Sequence, residues 1–287
     1  MREIYLKAPA KINLALYIKG LREDGYHELQ MIMQSISLAD RIKLKKKSGG
    51  IVVKTSHVDL PTDEENLAYQ AAEIFFEDHP EISEGVEIYI EKNIPIAAGL
   101  AGGSTDAAAV LNGLHLLFKK RMNYESMRKR LEIIGSDAPY CLEGGTVYAS
   151  GKGEIIEELP FIGEKYLVVV TPSFKISTPK VYKLYDQLEK RYDSDFEAIL
   201  DNLKNDNKIN WNLDFKNDLK AAAEKICPEI IEIKDIFKNT KAKFTMLSGS
   251  GPTVFSIYST RKEAEKVAAK WPRKNDFVTV VKTIDKY

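Results

Sequence analysis

The chain has 287 residues, of which 44% are hydrophobic and 29% charged, a composition that predicts a folded globular protein with two lobes. Basic and acidic residues number 42 each, so the formal net charge is zero. No global basic field exists to collect nucleic acid or an anionic membrane, so we expect small-molecule partners only. The local basic run at Lys43 and residues 45–47 indicates a solvated strand end rather than a polyanion site.

The two cysteines, Cys141 and Cys227, lack the spacing of a metal site or a disulfide framework, which favours a reducing compartment. The N-terminal residues carry charges where a signal peptide needs a continuous apolar stretch. No window approaches the ~20 apolar residues that span a bilayer. We therefore predict a cytoplasmic protein, either a monomer or a weak homodimer.

The first half of the chain alternates between strand and helix patterns. Apolar residues alternate over 4–6 and again over 12–18, which predicts two strands broken around Pro9. A capping-box pattern at 62–65 predicts a helix start, and alternation over 86–90 predicts another strand.

Two more helices follow in this half. A loop of small residues after Pro95 leads into a helix with an apolar face from Val110 to Phe118. The next helix runs from about Tyr124 to Ile134, with Gly135 as its C-cap glycine.

The second half has a different frame. An apolar strand at 166–171 precedes several helices, the first with Thr178 as N-cap before a proline. Strands at 243–247 and 253–258, a helix at 261–271 and a strand at 277–282 close the chain. This order resembles a ferredoxin-like lobe with inserted helices. We predict an N-terminal lobe over 1–158 and a C-terminal lobe over 159–287.

The most informative segment is the loop at residues 95–105, between a predicted strand and a predicted helix. Gly99, Gly102 and Gly103 let the backbone approach a ligand closely, and the helix N-terminus and the hydroxyls of Ser104 and Thr105 favour an anion. A P-loop needs a lysine before the hydroxyl residue, and a dinucleotide fingerprint needs GxGxxG, so neither pattern fits. The loop is either a polyphosphate cradle or a tight strand–helix connection.

Three ordered segments resemble the GHMP kinase superfamily. Residues 95–108 are similar to its ATP-binding motif, residues 8–14 to its N-terminal motif, and residues 247–255 to its C-terminal glycine motif. The resemblance implies an α+β, two-lobed GHMP kinase fold and ATP as co-substrate. It assigns these residues to ATP: Pro95, Ile96, Ala97, Ala98, Gly99, Leu100, Ala101, Gly102, Gly103, Ser104, Thr105, Asn66 and Lys92.

Residues 25–30 and 135–140 narrow the resemblance to a branch that phosphorylates a hydroxyl of a cytidyl-linked sugar alcohol, in the non-mevalonate route to isoprenoid precursors. Tyr26 and Tyr182 would stack on the cytosine, and His27 would recognise its edge. Asn13 and Thr178 are the other predicted substrate contacts. Structural alternatives remain: a plain turn for Tyr26 and His27, a core position for Tyr182, and an ordinary strand residue for Asn13.

By the same resemblance, Lys11 and Asp137 occupy the catalytic positions. Asp137 would orient the acceptor hydroxyl or take its proton, and Lys11 would offset the developing negative charge. The alternative for Asp137 is a helix cap. Mg²⁺ is implied by ATP chemistry, held by Ser104 or Thr105, or by phosphate oxygens and water alone.

The departures from the family pattern are modest. Ala97, Ala98 and Ala101 stand where relatives have glycine, so we expect none of them to need a positive φ; Thr105 replaces a serine. Met33 follows where some relatives have an aromatic residue. Competing hypotheses are another GHMP kinase acting on homoserine or mevalonate, a regulatory protein that lost catalysis, and a decarboxylase-type relative.

Overall fold

The computed structural model describes residues 2–121, 123–188, 195–205 and 209–286. The strands are β1 (Glu3–Leu21), β2 (His27–Lys47), β3 (Ile51–Thr55), β4 (Gly85–Glu91), β5 (Thr146–Gly151), β6 (Ile155–Glu158), β7 (Tyr166–Thr171), β8 (Phe244–Leu247), β9 (Val254–Tyr258) and β10 (Phe277–Lys282). The helices are α1 (Leu67–Asp78), α2 (Gly102–Leu117), α3 (Tyr124–Ile134), α4 (Ala138–Glu143), α5 (Thr178–Tyr185), α6 (Phe196–Asn205), α7 (Lys220–Ile226), α8 (Glu229–Lys238) and α9 (Arg261–Ala269).

The chain forms two compact units, and each unit contains three separate stretches. The first unit holds the chain up to Ala10, Leu38–Ile94 and Ala101–Glu143. In it, β4 pairs antiparallel with the end of β2 and parallel with β3. Helix α2 packs against α1 and α4. Its buried face comes from the apolar spacing of Val110, Leu111 and Leu114, as the sequence predicted.

The second unit holds Lys11–Ser37, Pro95–Leu100 and the chain from Gly144 onward. Its four-stranded antiparallel sheet has the order β10-β7-β9-β8. Numbered along the chain, this order is 4-1-3-2, with helices between the first and second strands and between the third and fourth. The predicted ferredoxin-like frame is therefore confirmed. Strand β7 is central, which explains the buried apolar run from Leu167 to Val170.

The predicted break at Pro9 is wrong, because β1 runs without interruption from Glu3 to Leu21. The backbone N–H of Lys11 donates to the Leu100 carbonyl, away from the partner strand β2. Residues two apart on a strand direct their N–H groups to the same side, so the nitrogen of Pro9 also faces away from β2. A proline at such a position costs no ladder hydrogen bond.

Helix ends differ from the sequence prediction by a few residues. Helix α1 is capped by Asn66, whose side chain accepts the N–H of Ala68, and the capping-box pattern at 62–65 lies in the preceding turn. Helix α5 has Ser177 at its N-cap, which makes Thr178 the first helical residue. Helix α3 has the predicted bounds, but Gly135 has a φ of 171°, an extended conformation that any residue adopts.

The predicted lobe boundary at 158/159 stays a prediction. The two compact units each combine separate stretches of the chain, so no single position divides them. The basic run ends β2 as predicted, and Lys43 and Lys46 pair there with Glu3 and Glu84. Among the described residues, no helix is long and apolar enough to cross a bilayer.

Candidate active site

The first part of the predicted ATP loop, Pro95–Leu100, lies in the second unit against the C-terminal glycine motif. The Ser248 hydroxyl donates to the carbonyl of Gly99, 2.9 Å away. Gly99 has a φ of 74°, and a Cβ there would overlap the carbonyl oxygen of Ser248. Only glycine meets both conditions, so this contact joins the two motifs through backbone atoms.

The C-terminal glycine motif forms a compact turn between β8 and β9. The N–H groups of Ser248 and Gly251 donate to the carbonyls of Thr253 and Ser248, each at 2.9 Å. Asn217 fixes the outer side of the turn, because its amide donates to the carbonyls of Leu247 and Gly249 at 2.9 and 2.8 Å. Sequence reasoning missed Asn217, since nothing local marks a contact across 30 residues.

Lys11 and Asn13 lie beside the same turn. As predicted from their spacing, they share a face of β1, and the Lys11 ammonium donates to Oδ1 of Asn13 at 2.8 Å. The backbone N–H of Asn13 donates to the Ser248 hydroxyl at 3.3 Å. A Cβ at Gly249 would lie 3.5 Å from the Lys11 nitrogen. The second unit therefore brings parts of three distant motifs together, around a buried lysine.

The rest of the loop, from Ala101, belongs to the first unit and opens helix α2. Ala101 is its N-cap with a φ of 59°, and Ala97 has a φ of 53°. The expectation that these alanines do not need positive φ is thus wrong for Ala97 and Ala101, and it holds for Ala98. Both alanines keep the left-handed geometry that glycine would adopt without a Cβ clash.

The first turn of α2 carries the predicted hydroxyl residues. Thr105 is fully buried, and its Oγ1 has no hydrogen-bond partner within the described residues. Ser104 is half-buried, with its hydroxyl near Gly135. An unpaired buried hydroxyl is costly, so Thr105 Oγ1 is suited to a ligand atom or a cation.

A buried ionic cluster of Asp40, Lys92 and Asp106 lies at the base of this turn. The Lys92 ammonium lies 2.5 Å from Oδ2 of Asp40 and 2.7 Å from Oδ2 of Asp106. Asp40 also accepts the backbone N–H groups of Asn93 and Ile94 at 2.6 and 2.8 Å. These contacts account for the position of Lys92 without a nucleotide, and its predicted adenine contact stays a prediction.

Burial raises the pKa of Asp106, and the neighbouring carboxylate of Asp40 adds to this rise while Lys92 opposes it. For Lys92, burial lowers the pKa, but the two carboxylates outweigh it, so the net shift is upward. The two carboxylates thus favour the charged form of Lys92, whereas burial disfavours the charged form of Asp106.

Asn66 and Asp137, also in the first unit, both lie at helix starts. The Asn66 amide caps α1 and donates to the carbonyl of Pro61 at 2.7 Å, so its side chain is held in place. Asp137 directly precedes α4, and its carbonyl accepts the N–H of Cys141 at 3.1 Å. The cap alternative for Asp137 is compatible with its backbone position. The catalytic role of Asp137 and the adenine contact of Asn66 stay predictions.

The predicted cytosine residues lie in the second unit. His27 is buried, and its Nε2 donates to Oδ1 of Asp186 at 2.9 Å, since a carboxylate offers only acceptors. The rings of His27 and Tyr182 lie 4.9 Å apart at 30°, and Tyr185 meets His27 edge-on. Tyr26 is 59% exposed, so it does not cover the core.

Asp186 was missed by the sequence analysis, and its only signal is its place one helical turn after Tyr182. It fixes the orientation of the His27 ring and leaves Nδ1 to face other partners. Thr178, one turn before Tyr182, shares a hydrogen bond with Ser250 of the glycine motif at 2.7 Å. The start of α5 is therefore tied directly to that motif.

Comparison with known proteins identifies the family. The model of the GHMP kinases N terminal domain matches residues 66–145, and that of the GHMP kinases C terminal domain matches residues 195–276. A 4-diphosphocytidyl-2-C-methyl-D-erythritol kinase of Syntrophomonas wolfei is 43% identical over 94% of this chain and 94% of its own length. The chain belongs to the 4-diphosphocytidyl-2-C-methyl-D-erythritol kinase family. The corresponding kinase of Clostridium beijerinckii is 40% identical over 97% of this chain and 99% of its own.

Solved structures agree with this family. A crystal structure of 4-(cytidine 5'-diphospho)-2C-methyl-D-erythritol kinase has a TM-score of 0.79 and 31% identity, covering 97% of this chain and 99% of its own. A homoserine kinase from Cytophaga hutchinsonii has a TM-score of 0.74 at 16% identity, covering 100% of this chain and 96% of its own. The second likeness shows the fold alone. The predicted fold and the predicted family are both confirmed, and the protein is a small-molecule kinase.

Proposed function

We propose that this protein transfers the γ-phosphoryl group of ATP to the 2-hydroxyl of 4-diphosphocytidyl-2-C-methyl-D-erythritol, a step of non-mevalonate isoprenoid precursor biosynthesis. The hydroxyl oxygen attacks the γ-phosphorus, the bond to the β-phosphate oxygen breaks, and the hydroxyl proton leaves. The observation that carries the proposal is the contact of Ser248 with Gly99, which holds the two glycine motifs together beside Lys11.

The proposal gives Lys11 and Asp137 separate tasks. Lys11 supplies positive charge near the acceptor oxygen, and its hydrogen bond to Asn13 fixes the direction of the ammonium. Asp137 orients the acceptor hydroxyl and takes its proton late, because a loose transition state needs little early activation of the nucleophile. Residues 95–105, Asn66 and Lys92 are proposed for ATP.

Mg²⁺ is part of the proposal, since it would neutralise charge on the phosphate oxygens. Ser104 or Thr105 would supply a hydroxyl ligand, and the Thr105 hydroxyl is buried without a partner in the described part of the chain. Magnesium commonly keeps water and phosphate oxygens as its other ligands. We also propose a cytoplasmic enzyme, monomeric or weakly dimeric, that binds no nucleic acid.

The substrate side rests on Tyr26, His27, Tyr182, Thr178 and Asn13. The His27 ring is already held between Asp186 and Tyr182, which supports a preformed place for a flat base. Tyr182→Leu should raise the KM for the cytidyl substrate about tenfold, because stacking on a base is worth ~1–3 kcal/mol. The KM for ATP should change little.

An ADP-release assay with the cytidyl substrate, homoserine and mevalonate tests the reaction. We expect turnover of the cytidyl substrate alone, with the new phosphate located by ³¹P NMR on the 2-hydroxyl. Turnover of homoserine or mevalonate without turnover of the cytidyl substrate would reject the proposal.

Two substitutions at Asp137 separate catalysis from capping. Asn keeps a good capping side chain but cannot take a proton, whereas Ala loses both. A catalytic Asp137 predicts that Asp137→Asn lowers kcat by about 10²–10⁴ with an unchanged melting temperature. A purely structural cap predicts a nearly active Asn variant and a destabilised Ala variant.

A further inference from the structure

A cavity of about 320 Å³ opens in the second unit between the end of α8, the end of β9 and helix α9. None of the residues proposed for ATP or for the cytidyl substrate lines it. Its volume is in the range of small-ligand sites, which begin at roughly 300 Å³. The proposed function gives this cavity no role.

Two aromatic side chains line the cavity, Trp271 and Tyr258, and each is held by a hydrogen bond. The Trp271 indole donates to Oδ2 of Asp276 at 2.9 Å, and its ring lies 4.9 Å from that of Phe237. Tyr258 is buried, and its hydroxyl shares a hydrogen bond with Thr240 at 3.0 Å. Together with Val267, these two rings give the lining an apolar surface that suits a flat apolar group.

Lys241, Lys266 and Lys270 surround this apolar surface. All three are exposed, and none forms an ion pair within the described residues. Arg261, on the same helix as Lys266, is by contrast paired with Glu265 at 2.8 Å. Three unpaired cations beside an apolar cavity are attractive to an anion.

The charge balance limits the size of that anion. Glu263 contributes one negative charge, and the C-terminal ends of α8 and α9 contribute roughly half a negative charge each. Against three lysines, the local sum is about one positive charge. A ligand with one anionic group matches this balance better than a diphosphate does.

Glu263 adds a hydrogen-bonding requirement. Its Oε2 is buried in the cavity wall without a hydrogen-bond partner in the described part of the chain. A buried carboxylate oxygen left unpaired is unfavourable, so a donor on the ligand would satisfy it.

We propose that this cavity is a second binding site, for a small molecule with a flat apolar body, one anionic group and one hydrogen-bond donor. Binding buries the apolar body against Trp271 and Tyr258 and places the anion among the lysines. The donor reaches Glu263.

The probe for the test is 8-anilinonaphthalene-1-sulfonate, which has a flat ring system, one sulfonate and one N–H. Titrated into the full chain at low salt, it should bind with saturable fluorescence enhancement. Lys266→Glu should weaken binding about fivefold or more. Glu263→Gln keeps an acceptor oxygen for the donor but removes the negative charge that repels the anion, so it should tighten binding about twofold to threefold. Lys262→Glu, on the same helix but outside the cavity, should change Kd less than about twofold.

Two controls test whether the probe occupies the cavity and whether each variant is folded. Val267→Phe fills the cavity without changing the charge and should weaken binding, and thermal melting checks that each variant is folded. Equal effects of Lys262→Glu and Lys266→Glu would overturn the proposal, because binding would then follow net surface charge. Displacement of the probe by ATP or by cytidine diphosphate would also overturn it, since the probe would then occupy the kinase site.

Discussion

The ammonium group of Lys92 lies 2.7 Å from Oδ2 of Asp106, in the first turn of the helix that follows the proposed ATP loop. The same ammonium also pairs with Asp40, whose other oxygen accepts the backbone N–H groups of Asn93 and Ile94, just after β4. Oδ1 of Asp106 has no partner within the described residues. Asp106 is therefore the poorly satisfied member of a cluster that ties the end of β4 to α2.

The first prediction concerns Asp106→Asn and pH. The pKa of Asp106 is raised above 3.8, so the folded protein keeps a proton that the unfolded chain releases as pH rises from about 4. Stability contributed at this site therefore falls with rising pH. Asn does not titrate. Between about pH 5 and pH 8, we therefore expect the free energy of unfolding of the variant, measured relative to that of the wild type, to rise by about 1 kcal/mol or more. Urea unfolding at several pH values measures this difference.

Asp40→Asn is the matched control. It removes a carboxylate that accepts two backbone N–H groups and an ammonium, so it should destabilise the protein at every pH in that range. Parallel stability curves for the wild type and Asp106→Asn would contradict the assigned pKa shift.

The second prediction concerns the left-handed alanines of the proposed ATP loop. A Cβ in this conformation costs about 1–2 kcal/mol, and a glycine costs about 0.4–1 kcal/mol through the entropy of the unfolded chain. Ala97→Gly and Ala101→Gly should thus be neutral or stabilising by up to about 1 kcal/mol. Ala98→Gly, at a negative φ and with a buried methyl, should be destabilising. Chemical denaturation ranks the three variants, and the reverse ranking would contradict the loop geometry.

The third prediction concerns Ser248→Ala. The hydroxyl is buried between the Gly99 carbonyl and the Asn13 N–H, and its loss leaves both unpaired, at a cost of about 1–3 kcal/mol. Because Gly99 belongs to the proposed ATP loop, we expect the KM for ATP to rise about tenfold, with a smaller change in kcat.

Thr245→Ala, on strand β8 just before the turn, is the control for Ser248. Its hydroxyl bonds to Ser256 at 2.6 Å, outside the turn. It should lower the melting temperature without changing the KM for ATP. Equal effects of both variants on this KM would mean that the Ser248 contact does not position the loop.

Features set by local periodicity were predictable from sequence. The bounds of α3, β7 and β10 agree with the prediction, because each has a clear apolar period and a distinct end. The three glycine and lysine motifs could be recognised for the same reason, since each is a continuous string of residues, and parts of all three meet in the second unit.

Features set by contacts across the chain were not predictable. Asp40 meets Lys92 across 52 residues and Asp186 meets His27 across 159, and no local pattern marks either pair. The φ of Ala101 was misjudged because an alanine normally indicates a negative φ, whereas here the packing of the loop imposes the left-handed form. The continuous β1 was missed because a proline is tolerated where its nitrogen faces away from the ladder.

The last prediction concerns His115, on the buried face of α2. Its ring lies 4.9 Å from Phe75 and 5.6 Å from His79, and neither ring nitrogen has a hydrogen-bond partner in the described part of the chain. Burial lowers the pKa of His115 from 6.5 to about 4, and the neighbouring His79 adds to the shift while Asp78 opposes it. Between these values the unfolded chain binds a proton that the folded protein does not, so stability falls as pH decreases through this window.

His115→Leu should therefore stabilise the protein most in acid, by about 2 kcal/mol more near pH 5 than near pH 8. Near pH 8 it should still gain about 1 kcal/mol, because two unpaired ring nitrogens are replaced by an apolar group. His115→Gln separates these two effects, because glutamine does not titrate but keeps unpaired polar atoms. This variant should lose the acid sensitivity without becoming more stable than the wild type near pH 8. Urea unfolding at both pH values measures the differences, and a Leu variant with the wild-type pH dependence would show that His115 does not carry the acid sensitivity.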